Sequence, residues 1–81
     1  MEANDWISTK DKLPELNNKI DNYTYCSDEV LICLNKNKVV TGRFYKIDYI
    51  PLTYWLSTIG EYKYPMHLVT HWMEIVLPKT K

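Results

Sequence analysis

Glycine is nearly absent from this chain, with 2 in 81 residues, and there are four prolines, two cysteines and no net charge. So little glycine and proline, with hydrophobic residues near half of the total, excludes a low-complexity or disordered chain. Cys26 and Cys33 form no C-x-x-C, and one pair cannot make a disulfide framework. No apolar run approaches the ~18–20 residues that a membrane span needs. The opening MEANDWISTKDK is polar and acidic, unlike a secretory leader. The expectation is a cytoplasmic protein with reduced thiols and no membrane association. Zero net charge disfavours general nucleic-acid binding, which needs a basic excess.

Also missing are G-x-G-x-x-G, a P-loop and G-x-S-x-G, and no pair of acids stands out by its spacing. The reading is therefore not an enzyme, with no cofactor. Eighty-one residues make one domain, 1–81, with a thin core.

The charge that is present is unevenly placed. Residues 1–29 carry seven acids against three lysines, and residues 30–81 carry seven bases against three acids. The two halves either neutralise each other or leave an anion-attracting face.

Short runs rich in β-branched and aromatic residues dominate the rest. Strands are expected at 6–9, 29–35, 39–46, 53–58 and 68–76. The apolar run at 29–34 suggests a strand covered on both faces. It places Cys33 in the core, whereas Cys26 lies in a polar stretch that leaves it free to be exposed, and nothing marks it as a nucleophile. Asparagines at 35 and 37 tolerate the positive φ of a tight turn, so 29–45 reads as a hairpin. On its second strand Val40, Gly42 and Phe44 share one face, and Val39, Thr41, Arg43 and Tyr45 the other. Residues 15–29 read as a loop with at most one helical turn, 60–65 as a loop, Leu77-Pro78 as the end of the last strand, and the KTK tail as frayed. The fold class is mainly β: a small antiparallel sheet or SH3-like, partly open barrel of four to five strands. The alternative is α+β, with a short helix at 14–20 or 66–76.

The stretch HLVTHWMEI, 67–75, decides whether metal chemistry is in play. Val69, Trp72, Met73 and Val76 fit a helical stripe, while Val69, His71, Met73 and Ile75 fit a strand face. A helix would set His67 and His71 roughly 6 Å apart, close enough to share an ion. An extended strand sets them roughly 13 Å apart, too far for one ion. The β-branched residues and the missing helix cap favour the strand. H-E-x-x-H is absent, so no metal is expected.

Trp6-Ile7-Ser8, Leu13-Pro14, Val30-Leu31-Ile32, Gly42-Arg43-Phe44-Tyr45, Trp55, Val69-Thr70-His71-Trp72-Met73 and Leu77-Pro78 follow one another along nearly the whole chain. This pattern resembles a small domain-of-unknown-function family carried by bacteriophages and bacterial genomes. Two departures stand out: Glu74-Ile75-Val76 separates Met73 from Leu77-Pro78, and the segment from Pro14 to Val30 is long. The resemblance implies a phage setting and a signature strand around Thr70, His71 and Trp72, and it carries over no catalytic residue.

Seven tyrosines and three tryptophans are more than a thin sheet can bury. Tyr and Trp combine large rigid area with a polar handle, and Arg matches phosphate or carboxylate. Arg43, Tyr45, Trp55, His71 and Trp72 are therefore the candidate ligand-binding residues. The expected function is a phage-type, homo-oligomeric binding protein that counters host defence by sequestering a small anionic, nucleotide-like signal. Two alternatives stand beside it: a protein inhibitor that binds a host defence enzyme through the acidic first third, and a ligand-free structural or accessory subunit. A dimer or larger assembly is expected in either case.

Overall fold

A computed structural model describes residues 6–35, 37–50 and 52–75. Its elements are β1 (Ile7–Ser8), β2 (Asn18–Lys19), β3 (Thr24–Cys26), β4 (Val30–Leu34), β5 (Lys38–Ile47), β6 (Leu52–Ser57), β7 (Lys63–Tyr64), a 3₁₀ turn (Met66–Leu68) and β8 (Val69–Glu74). The protein is mainly β, and all eight strands join one open antiparallel sheet.

The 29–45 hairpin forms as expected, with Leu34 opposite Lys38 and Asn35 at φ 51° in its turn. β5 is long enough to serve both ends of the sheet. Along one edge it pairs β6 from Gly42 to Ile47. Along the other it pairs β4 with its first half and β3 with its last three residues. β3 and β4 thus form one broken strand, extended outward by β2 beside β3 and by β8 and then β1 beside β4. The Trp6-Ile7-Ser8 and Val69–Met73 segments meet here: Ile7 lies opposite Trp72, and Ser8 opposite His71.

The inner face carries Val30, Ile32, Leu34, Phe44, Trp55, Val69 and Trp72, with Leu16, Val40, Tyr64 and Met66 packed around them. Phe44 and Trp55 are directly opposite, their rings 5.0 Å apart. The Trp72 indole N–H donates to the Lys12 carbonyl at 2.8 Å. That bond ties the segment before the buried Pro14 to β8.

Several expectations need correction. Residues 15–29 hold the β2–β3 hairpin and no helical turn, and 60–65 hold β7. The sheet therefore has eight strands, three of them too short and polar to show a period-2 signal. No α-helix forms over 14–20 or 66–75; the 3₁₀ turn is the one helical piece among the described residues. The apolar run of β4 is not covered equally on both faces: Val30, Ile32 and Leu34 are buried, Leu31 and Cys33 half-buried. Cys33 is thus on the outer face, and it is Cys26 that is buried. Val76, Leu77-Pro78 and the tail lie outside the described residues.

β8 answers the question raised by 67–75. It is a strand, but its register against β4 slips: Cys33 faces His71, while Leu34 faces Val69. Thr70 is the extra residue of a β-bulge. The bulge lets Val69 and Trp72, three apart, both point into the core. His71 and Met73 take the outer face, opposite Cys33 and Leu31. The presumed uninterrupted extension from His67 to His71 does not exist, because His67 sits in the 3₁₀ turn.

Candidate functional site

The outer face gathers its chemistry in a row across four strands. Asn18 on β2 is opposite Cys26 on β3, Cys26 opposite Tyr45 on β5, and Tyr45 opposite Tyr54 on β6. Directly opposed residues on antiparallel strands share a face, so these four side chains line up. The Tyr45 and Tyr54 rings are parallel within 3°, with centroids 5.3 Å apart. Burial raises the Tyr45 phenol above its ordinary value, with the neighbouring Cys26 thiol adding to the shift.

The next row supplies positive charge. Arg43 is opposite Leu56 on β6, and Leu56 is opposite Lys63 on β7. The Lys63 ammonium lies 4.6 Å from the Tyr54 ring centroid, a cation–π contact. Arg43 Nη1 donates to the Ser27 carbonyl at 3.2 Å, which holds the guanidinium beside the tyrosines with one of its five N–H donors. Beyond Tyr54 and Lys63 the surface dips into a depression of about 290 Å³, also walled by Tyr64 and Met66.

The break between β3 and β4 fixes this geometry. Ser27, Asp28 and Glu29 oppose only two residues of β5, because Cys26 pairs Tyr45 and Val30 pairs Gly42. The Ser27 amide donates to the Phe44 carbonyl at 2.8 Å, and the Phe44 amide donates to Ser27 Oγ at 2.9 Å. Asp28 swings out and accepts from Asn18 at 2.9 Å and Asn17 at 3.3 Å. The Asn18 and Asn17 amides, with the charge of Arg43, hold its carboxyl below the usual range.

The sequence-derived candidates do not form one pocket. Arg43 and Tyr45 do sit together. His71 shares their face but lies on β8, level with Cys33 and therefore with Val39. Val39 is four residues from Arg43 along β5, roughly 13 Å. Trp55 and Trp72 belong to the core, 0% and 3% exposed, and neither offers a ring to a ligand on the outer face. Their positions alternate inward on β6 and β8, which aromatic character alone does not reveal. Tyr54 and Lys63 were missed. The signal for Tyr54 was its spacing within the Thr53–Ile59 run, opposite Tyr45 if the β5–β6 turn is tight. Lys63 had no signal, because β7 is too short to read.

His71 has a separate setting. Thr70 Oγ1 donates to the Cys33 carbonyl at 3.4 Å, so the same oxygen accepts from His71 Nδ1–H at 3.0 Å. That assignment leaves the lone pair on Nε2. His71, His67, Lys10 and Ser8 line a wide depression of about 680 Å³. Among the described residues, no three His, Cys, Asp or Glu side chains gather as metal ligands, and no helix is long and apolar enough to cross a membrane. A third depression, about 350 Å³, is walled by Glu15, Asp28, Glu29, Glu74 and Lys12.

No curated protein and no solved structure matches the chain. A family profile does, over residues 5–79, which is nearly the whole length. The chain belongs to the family described as "Protein of unknown function (DUF551)".

Proposed function

We propose that this is a non-enzymatic binding protein whose outer sheet face takes a small, anionic, nucleotide-like ligand. The observation that carries the reading is the parallel Tyr45–Tyr54 pair flanked by Arg43 and Lys63. The two half-buried rings present their edges and hydroxyls to a planar base, and a guanidinium and an ammonium beside them complement phosphate. Nothing in this arrangement needs a general base or a nucleophile. In the phage setting that the sequence resemblance implies, such a module would act as a homo-oligomer and hold back a nucleotide signal of host immunity.

Calorimetric titration of the purified protein with cyclic and linear nucleotides tests the proposal. Binding should be present in the wild type and reduced at least tenfold in Tyr54→Ala and Lys63→Glu. Absence of heat and of any melting-temperature shift at millimolar nucleotide would remove it.

The acidic depression favours a second reading, in which the protein blocks a host enzyme by presenting Glu15, Glu29 and Glu74. Charge reversal at Glu15 and Glu29 distinguishes the two. It should abolish inhibition under this reading and leave nucleotide binding intact under the first.

A further inference from the structure

Two adjacent hairpin tips break the rule that turns are polar. The β2–β3 turn carries Ile20 and Tyr23, and the β5–β6 turn carries Tyr49 and Ile50. Turns ordinarily favour Gly, Asn, Asp, Ser and Pro, because their backbone stays in water. Here the two tips are locked to each other. The Asp48 amide donates to the Tyr23 carbonyl at 2.8 Å, and the Tyr23 and Tyr49 rings meet edge to face at 4.9 Å. Leu52, opposite Ile47, extends the same patch onto β6.

These five side chains are 42% to 68% exposed, although all are apolar or aromatic. A fully exposed aromatic or large aliphatic residue presents roughly 150–250 Å², so together they offer on the order of 500 Å² of mostly apolar surface. A standard interface takes about 800 Å² from each partner, about 60% of it apolar, which is again about 500 Å². The patch alone therefore supplies the apolar centre of a dimer. Its rim carries both signs, with Lys19 and Lys46 beside Asp21 and Asp48. A balanced rim suits a two-fold contact, in which each surface must complement itself. It does not suit an anionic membrane, which calls for a basic excess.

We propose that a second copy of this chain docks on the paired hairpin tips formed by Ile20, Tyr23, Tyr49, Ile50 and Leu52. This names the surface for the self-association in the functional reading above, and it stands whether or not a nucleotide binds.

Sedimentation velocity of the full chain, without nucleotide, at 1–200 μM tests it. The wild type should shift from monomer to dimer within that range. Tyr49→Ser with Ile50→Ser should stay monomeric at the top concentration, with its circular dichroism unchanged and its melting at low concentration lowered only by loss of the Tyr23–Tyr49 contact. Leu31→Ser, on the outer face elsewhere, should dimerise like the wild type. A wild type that is monomeric at 200 μM would overturn the proposal, as would a double variant that still dimerises. Flotation of a monomeric wild type with phosphatidylcholine–phosphatidylglycerol vesicles would assign the tips to lipid instead and overturn it too. Nucleotide titration is read separately, so loss of one proposal leaves the other standing.

Discussion

Ser27 and Phe44 exchange two hydrogen bonds, one from backbone to backbone and one from the Phe44 amide to the Ser27 hydroxyl. The side-chain oxygen stands where a strand carbonyl would be. It lets the β3–β4 strand carry an extra residue without leaving the buried Phe44 amide unpaired. The hydroxyl also donates to the Asp28 carbonyl at 2.8 Å, so both of its roles are used.

Ser27→Ala should therefore cost more than its small volume suggests. It orphans the Phe44 amide in a site where Ser27 itself is 1% exposed. The expected loss is about 1–3 kcal/mol, read from urea unfolding followed by tryptophan fluorescence. Arg43, which bonds the Ser27 carbonyl, should also lose its position, weakening the proposed nucleotide binding at the same time.

How far the sequence disclosed this structure depends on strand length and on bulges. The 29–45 hairpin and β6 have enough β-branched and aromatic residues in succession to declare themselves, and Arg43 and Tyr45 were placed on the correct face by alternation alone. β8 was ambiguous for a physical reason. The bulge at Thr70 sets Val69 and Trp72 on one side at a spacing of three, which imitates a helical stripe. β2, β3 and β7 have two or three residues each, too few for any period. The burial of Cys26 was not legible because its neighbours in sequence are polar, whereas its neighbours in space are Asn18 and Tyr45 across the ladder. The tyrosine pair was half legible: Tyr45 stood out beside Arg43, but Tyr54 needed the β5–β6 register.

Gly42 faces a different constraint. A Cβ there would stand 2.5 Å from the Leu56 carbonyl oxygen and 2.6 Å from Ile32 Cδ1. The isoleucine tip could rotate, but the carbonyl belongs to the β6 backbone and cannot yield without opening the β5–β6 ladder. Gly42→Ala should destabilise by about 1–3 kcal/mol. It should also disturb the Tyr45–Tyr54 pair built on the same two strands. Denaturant unfolding gives the first quantity, and nucleotide titration the second.

Tyr45 gives the protein a high-pH signature. Burial raises its phenol above the value of an unfolded tyrosine, so the folded state favours the neutral form. The resulting stability is fully present below about pH 10, the unfolded value, and is lost as pH rises through the folded value. Ultraviolet titration should show one tyrosine ionising later than the exposed ones. Tyr45→Phe should remove that late step and flatten the fall in stability above pH 10.

Asp21 and Asp28 govern the acid side. Asp21 Oδ1 accepts from the Tyr23 and Thr24 amides at 2.9 Å, and the Tyr23 bond leads in lowering its carboxyl. Asp28 is lowered first by Asn18, then by Asn17. Both folded values lie below the unfolded one, so their stabilising effect is present above about pH 4 and is lost as pH falls through the folded values. Both groups sit at the surface, which keeps each effect small. Carboxyl NMR titration should find Asp21 and Asp28 each ionising below the value of an unfolded aspartate. Asn18→Ala should raise Asp28 alone and leave Asp21 where it was. If both move together, the two turns are coupled through β2 and the separate hydrogen-bond account of each carboxyl fails.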